Sequence, residues 1–519
     1  MSTNNHQECA NENSKTTRLK NTTLQERYIL TLLGFFGFFC AYALRVNLNV
    51  AMVAMVREPQ TNQDTTDSRE NAIVCPELIH HHHNKSSSSL SAHSTLKGEF
   101  DWDSNMQALV LGSFYFGYVV TQIPGGVAAE KYGAKWLFGF GILLTSVFSL
   151  LTPVSARWNV WALIIARAIE GLGEGVTFPA MHALIGRWAP KQERCLLSTI
   201  IYNGCAIGTV VSLAVSGALC DTEFIGGWPS TFYVFGVLGC LWFLLWITLV
   251  YDSPYSHPRI TEEELLFIQL SQDDFQSHKA PIPWKSILTS IPVWGLIVTH
   301  FGQNWGFYTL LTDMPTYLSN VLHFNVEKNG VVSALPNLIE AFTAVIASWM
   351  ADKLLASKKL QITTIRKLMN SIAFYATGLC VLPIAFIGCK PIIIVVLLTL
   401  AMSINGFIYS GFNVVHVDMS PEFAGTLMGI TNCIANLPGF LAPSFVGWIV
   451  QDGHTLNNWG TIFITTSVIF FVSGTVFNLF CTADLQPWGT NSQPSNDPST
   501  VVERKKTTTE SHENEGFEL

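Results

Sequence analysis

Arg45, Arg167, Glu170, Glu174 and His182 lie inside long apolar runs. A charge at bilayer depth costs at least about 2.5–3.5 kcal/mol on insertion scales. Such residues face a protein-lined or watery interior and are paired or put to use. In RAIEGLGEGVTFPAMH, the run from Arg167 to His182, Arg167, Glu170 and Glu174 are spaced three and four apart. A helix puts all three on one face. Two chemistries fit: a buried structural ion pair centred on Arg167, or reversible protonation. Glu174 shares a face with Arg167 but lies too far along the helix to touch it, and its own helix offers no second cation. It therefore reads as a poorly compensated carboxylate, able to take up and release a proton. Gly171, Gly173 and Gly175 leave room for a second helix to pack closely, and Pro179 weakens the backbone ladder behind them. Arg45, in YALRVNLN, has no acid within four residues on its own helix. Its partner must come from another helix, from water or from a ligand. A planar guanidinium fork suits a carboxylate or phosphate, so Arg45 reads as an anion anchor.

Tyr118, Tyr202 and Tyr308 also fall at membrane depth, where a tyrosine lines either a polar cavity or the core. His300, Glu340 and His416 lie within spans, Glu340 with no evident partner. Asp313 and Asp418 read as sitting near span ends, where hydration makes a charge cheap. The tract His80 to His83 reads as solvated loop. There is no nucleotide-binding loop, no serine or cysteine nucleophile arrangement and no metal-ligand spacing. The expectation is no enzyme, no cofactor, no metal site and no nucleic-acid partner.

The elements that must position these residues are membrane helices. The chain has 519 residues, 49% hydrophobic and 13% charged, with a mean hydropathy of +0.32. That is too apolar for an ordinary soluble chain. No cleavable signal peptide is expected, because residues 1–26 are polar and the first apolar run is too long for a signal core. Apolar runs predict spans at about 28–56, 104–126, 136–154, 160–187, 196–220 and 229–251, then 291–319, 329–350, 367–389, 391–416, 424–450 and 460–482. The division is a polar tail 1–27, a six-helix half 28–251 with a long loop 57–103, a connector 252–290, a second half 291–482 and a tail 483–519. The net charge of −8 comes largely from loops and tails. With both termini cytosolic, 20 Lys and Arg fall on the cytosolic side and seven opposite, the orientation the positive-inside rule favours. Asn84-Lys85-Ser86 is then a glycosylation sequon facing away from the cytosol. Cys75, Cys220 and Cys389 fall on that same side, and the sequence leaves any disulfide among them open. The short loops after spans two and eight each carry a carboxylate followed by lysine, Glu130-Lys131 and Asp352-Lys353. This faint repeat suits two related halves around a central site.

The run from Gly126 to Lys135, with Glu130, Lys131 and Gly133 in register, resembles the gating motif of the major facilitator superfamily, with Glu where Asp is usual. Within it, FFGFFCAYALRVNLNVAMV, LGSFYFGYVVTQIPGG, RAIEGLGEGVTFPAMHA and NWGFYTLLTDMPTYL resemble the organic anion family of sialin, the vesicular glutamate transporters and the type I sodium–phosphate cotransporters, most of all the sialin branch. The resemblance implies an all-α fold of twelve transmembrane helices in two pseudo-symmetric halves. It implies Arg45, Tyr118, Tyr202, Asn304 and Tyr308 around the substrate, and Glu174 with Glu170 coupling a proton. Gly126, Glu130, Lys131, Gly133, Lys135, Arg167 and Asp352 would serve gating and structure. Gln303 stands where glutamate transporters carry arginine. The implied activity is proton-coupled transport of small organic anions, such as sialic acid, other acidic sugars or acidic amino acids. The alternatives are sodium-linked phosphate or anion cotransport and, from another class, a non-transporting sensor. The expected setting is a lipid bilayer, lysosomal, vesicular or plasma membrane, with the protein acting as a monomer.

Overall fold

The computed structural model describes residues 25–57, 98–222, 226–271, 281–310, 314, 317–318, 321–322, 326–451 and 453–489. The helices of the first half are α1 (Glu26–Met55), α2 (Ser104–Tyr132), α3 (Ala134–Trp158), α4 (Val160–Gly175), α5 (Thr177–Trp188), α6 (Arg194–Asp221) and α7 (Pro229–Leu249). Two short helices, α8 (Glu262–Ser271) and α9 (Trp284–Leu288), lie in the connector. The second half holds α10 (Ile291–Tyr308), α11 (Val326–Ala356), α12 (Ile362–Ser371), α13 (Thr377–Val381), α14 (Ile384–Ile387), α15 (Pro391–Asn405), α16 (Phe412–Met419), α17 (Ala424–Ala435), α18 (Pro438–Ile449) and α19 (Leu456–Phe480). No strand occurs among the described residues, only an isolated bridge between Val56 and Phe100. Taking α4 with α5, α12 with α13 and α14, α15 with α16, and α17 with α18 as broken spans gives six spans on each side of the connector.

Among the described residues, eight spans are long and apolar enough to cross a membrane. Glu174, Asn304, Glu340 and Asn432 lie in the broken span α4–α5, α10, α11 and the broken span α17–α18.

Asp103 caps α2 by accepting from the Met106 N–H at 2.8 Å, and Asn159 caps α4 by accepting from Trp161 at 2.9 Å. α4 stops at Gly175 because Pro179 lacks the N–H that would bond the Gly175 carbonyl. Between α2 and α4 the backbones nearly touch. A Cβ on Gly171 would lie 1.9 Å from the Phe114 carbonyl, and one on Gly117 would lie 1.9 Å from the Ala168 carbonyl. Only glycine permits that approach, which brings Tyr118 and Glu174 to one site.

Across the halves, α2 packs on α17 and α6 packs on α11. Counted as spans, these are two on eleven and five on eight, so a six-span shift exchanges one contact for the other. Large apolar side chains such as Phe140, Leu151, Phe342 and Ile392 are exposed on the outer surface, while polar side chains such as Asn47, Thr145, Glu170 and Thr466 are buried. This is the inside-out pattern of a protein solvated by lipid.

The helices outrun their predicted ends. The segment read as the loop after span two continues α2 to Tyr132, and only Gly133, at φ 113°, turns the chain. Likewise Asp352 and Lys353 belong to α11, not to a loop. Apolarity marks the membrane core, but hydrogen bonding carries a helix past it.

Candidate functional site

The centre of the first half is built by α1, α2 and α4. Arg45 Nη2 lies 2.5 Å from Glu174 Oε1, and both side chains are buried. The Arg45 guanidinium is 4.5 Å from the Tyr42 ring, 4.7 Å from Tyr118 and 5.1 Å from Phe114. Cation–π contacts of this kind hold a guanidinium in a dry site. Arg45 Nε and Glu174 Oε2 have no hydrogen-bond partner among the described residues. Arg167 pairs with Glu170 one turn on, and its Nη2 donates to the Arg45 carbonyl at 3.3 Å. Thr152 Oγ1 also donates to Glu170, at 3.0 Å. The two acids thus do different work: Glu170 is tied into the scaffold by Arg167 and Thr152, whereas the ion-pair partner of Glu174 among the described residues is Arg45.

This corrects the expectation that Glu174 is poorly compensated, and of the three sources open to the partner of Arg45 it selects another helix. They compensate each other. Spacing along one helix could not show it, because the two residues reach the site from different spans.

From the second half, the Tyr308 hydroxyl donates to Asn436 Oδ1 at 3.2 Å, and Asn304 Nδ2 donates to the Ala435 carbonyl at 2.6 Å. Asn432 Nδ2 donates to Gln122 Oε1 at 3.1 Å and to the Tyr118 hydroxyl at 3.4 Å, joining α17 to α2. Tyr202 is hydrogen-bonded to His182 at 2.6 Å and stacks on Phe178, whose ring also meets Tyr42 beside Arg45. His182, His300 and His416 form a buried chain, with ring centroids 5.4 Å and 6.0 Å apart. Thr431 Oγ1 bridges His416 at 2.8 Å and His300 at 3.2 Å.

The connector end is sealed across the halves. Glu130 accepts from the Thr426 N–H at 2.7 Å and from its hydroxyl at 2.6 Å, at the first turn of α17. Asp352 accepts from the Leu196 N–H at 2.8 Å and the Cys195 N–H at 3.3 Å, at the first turn of α6. Each carboxylate caps a helix of the opposite half, where orphan N–H groups and the helix dipole favour an anion. A Cβ on Gly126 would lie 2.4 Å from the Gly425 carbonyl, so only glycine lets α2 approach α17 there. Arg194 and Arg366 converge on Asp418 at 2.7 and 2.8 Å. Asp418 was read as hydrated at a span end; it is buried between two arginines, and Arg194 and Arg366 were read as loop charges. Beside Gly133, Asp252 accepts from the Lys135 N–H at 2.9 Å and pairs with Arg187 at 2.7 Å. Lys135 Nζ stands 4.6 Å over the Tyr251 ring, while Lys131 is exposed beside Tyr132. At the opposite end, Arg157 and the Trp228 indole hold Glu99, and the Arg157 hydrogen bond keeps its carboxyl below the usual carboxylate range.

Sequence reasoning missed Tyr42 and Phe114 as the rings around Arg45, Asp252 as the anchor of the motif and Thr426 as the partner of Glu130. Tyr42 sits three residues before Arg45, a spacing that could have found it. Cys220 is free and Cys389 is disulfide-bonded; Cys75, Asn84, Asp313 and the His80–His83 tract lie outside the described residues.

Glu130→Ala removes two hydrogen bonds to a charged acceptor, each worth about 1.5–3 kcal/mol. It is expected to open the connector end and raise the alkylation rate of buried Cys195 by about tenfold, read by mass spectrometry. An unchanged rate would place the seal elsewhere.

The Major Facilitator Superfamily model matches residues 34–443. Human sialin is 42% identical over 466 residues, covering 90% of this chain and 91% of that one. A putative inorganic phosphate cotransporter of Drosophila melanogaster is 38% identical, covering 89% and 86%. Vesicular glutamate transporter 1 of Bos taurus is 35% identical, covering 90% and 78%. The proton:xylose symporter XylE superposes with a TM-score of 0.64 at 14% identity, covering 89% of this chain and 98% of that one, a likeness of fold alone. With an all-helical fold and a paired arginine and glutamate at its centre, the chain belongs to the major facilitator superfamily, in the group of sialin-like anion and phosphate transporters, and is not an enzyme.

Proposed function

We propose that this transporter carries small organic anions, acidic sugars or acidic amino acids, by exchanging partners at Arg45, with a proton as the coupling ion. The observation that carries the reading is the contact of Arg45 with Glu174. A substrate carboxylate that takes the Arg45 fork leaves Glu174 buried without its cation. An uncompensated buried charge costs several kcal/mol, so the step is favourable only if Glu174 takes up a proton. Proton and anion therefore bind together. Deprotonation of Glu174 returns the carboxylate to Arg45 and expels the anion. The phosphate reading shares the anion anchor, and the Drosophila relative's name favours it as the second reading. Uptake into proteoliposomes under an imposed proton or sodium gradient tests both. Accumulation driven by sodium alone would defeat the proton reading.

The connector and both termini are assigned to the cytosol, so the sealed end is the cytosolic one. Tyr118 and Tyr308 are placed as walls of the site, Glu170 and Arg167 as its scaffold. The name of the vesicular glutamate transporter relative favours a vesicular membrane; a lysosomal or plasma membrane is the alternative, and a single chain is taken as the working unit. Asn84→Gln is expected to abolish a glycosidase-sensitive gel shift while leaving transport intact. A shift that persists in the mutant would remove the glycan from Asn84.

A further inference from the structure

Glu340 is the fifteenth residue of the 31-residue α11, near the middle of its span. It plays no part in the Arg45–Glu174 exchange. Its side chain is buried, and among the described residues its one hydrogen bond is a long one from Asn405 Nδ2, at 3.4 Å. No cation pairs with it among the described residues. The carboxamide oxygen of Asn405 is also buried without a hydrogen-bond partner. Two acceptors thus stand side by side in the second half with no donor adequate to them. A buried polar group left in this way calls for an explanation.

The backbone holds them there. A Cβ on Gly406 would lie 2.8 Å from the Glu340 carbonyl and 2.9 Å from the Ala344 nitrogen. The chain after α15 is therefore pressed onto α11, carrying Asn405 to the carboxylate. Asn203 Nδ2 of α6 donates to the Ala341 carbonyl at 2.9 Å, so Glu340 lies where α11 meets the first half. Tyr409 lies near both Glu340 and Cys205, and Cys205 lies near Tyr42 and Arg45. Cys205 and Tyr409 thus lie between a cationic side chain of the first half and an anionic one of the second: Arg45 is 9% exposed and Glu340 8%.

We propose that Glu340, with the Asn405 carboxamide oxygen, is an ammonium subsite, which receives the amino group of a zwitterionic anion whose carboxylate is held by Arg45. An ammonium supplies three donors and no acceptor, the complement of what Glu340 and Asn405 present. A bare divalent cation requires a shell of six or more oxygens or an octahedron completed by waters, and no cluster of three metal-ligating side chains occurs among the described residues. The site deepens the anion-carrier reading and rests on it.

The test uses the full chain in proteoliposomes, with aspartate and succinate as a pair that differs by one amino group. N-Acetylneuraminate, which has no free amine, serves as the carrier control. The wild type is expected to take up aspartate at least tenfold better than succinate. Glu340→Gln should bring that ratio near one by losing aspartate uptake, with succinate and N-acetylneuraminate unchanged. Asn405→Leu, which keeps the carboxylate, should lower the ratio severalfold. The assignment is overturned if the wild type carries N-acetylneuraminate but does not prefer aspartate. It is overturned equally if Glu340→Gln weakens all three compounds alike, or if the ratio stays while proton or sodium dependence changes. If the wild type carries none of the three under any gradient, the carrier reading itself fails, and the ammonium subsite with it.

Discussion

Arg45→Lys is expected to abolish most anion transport, although the charge is kept. A guanidinium released by Glu174 presents a planar fork with two donor edges to an incoming carboxylate, and its Nε is already unpartnered in this state. An ammonium is a point charge without a second edge. Each hydrogen bond to a charged group is worth about 1.5–3 kcal/mol, and every 1.4 kcal/mol is tenfold. Loss of one arm of the fork predicts about a ten- to hundredfold weaker substrate affinity. Lysine also loses planar stacking among the Tyr42, Phe114 and Tyr118 rings. The measurement is binding and uptake by a mutant shown to be inserted and folded. Affinity within about twofold of wild type would remove Arg45 as the anchor.

Glu174→Gln should abolish accumulation driven by a pH gradient and spare exchange of external for internal substrate. Glutamine copies the protonated acid in size and hydrogen bonding. It frees Arg45 from its resident carboxylate, so the anion meets no competitor. The proton-dependent step that evicts the anion is lost, because glutamine cannot return a negative charge to Arg45. Wild-type uptake should therefore rise with acid on the entry side, while mutant exchange stays flat over the same range. A mutant that still concentrates substrate under a pH gradient would defeat the role of Glu174. Glu170 would be a weak replacement, since Arg167 and Thr152 already occupy it.

The spans were legible because a bilayer imposes length and apolarity on each segment separately. Arg45 and Glu174 were legible as anomalies for the same reason. Their mutual contact was not, since residue spacing reports only neighbours on the same helix. Glu130 was legible as part of a motif, yet its partner Thr426 lies in an unremarkable stretch of the other half. Asp418 was misjudged because its position along the span says nothing of what packs above it. Arg194 and Arg366 cover it, drawn in from segments that read as loops. Tyr202 shows the opposite limit: its type fits a cavity wall, and the fold gives its hydroxyl to His182.

The seal at the connector end is a pair of carboxylates on helix N-termini, with glycine against glycine between them. Water can replace each of those bonds when the halves part, but apolar side chains pack across the same contacts: Ala129 and Leu184 with Val417 and Ala424, and Cys195 with Ala351, Ile365 and Val414. Opening should therefore carry a positive heat-capacity change, because that quantity follows newly wetted hydrocarbon. The balance between the two faces of the carrier then shifts with temperature as well as with whatever occupies Arg45.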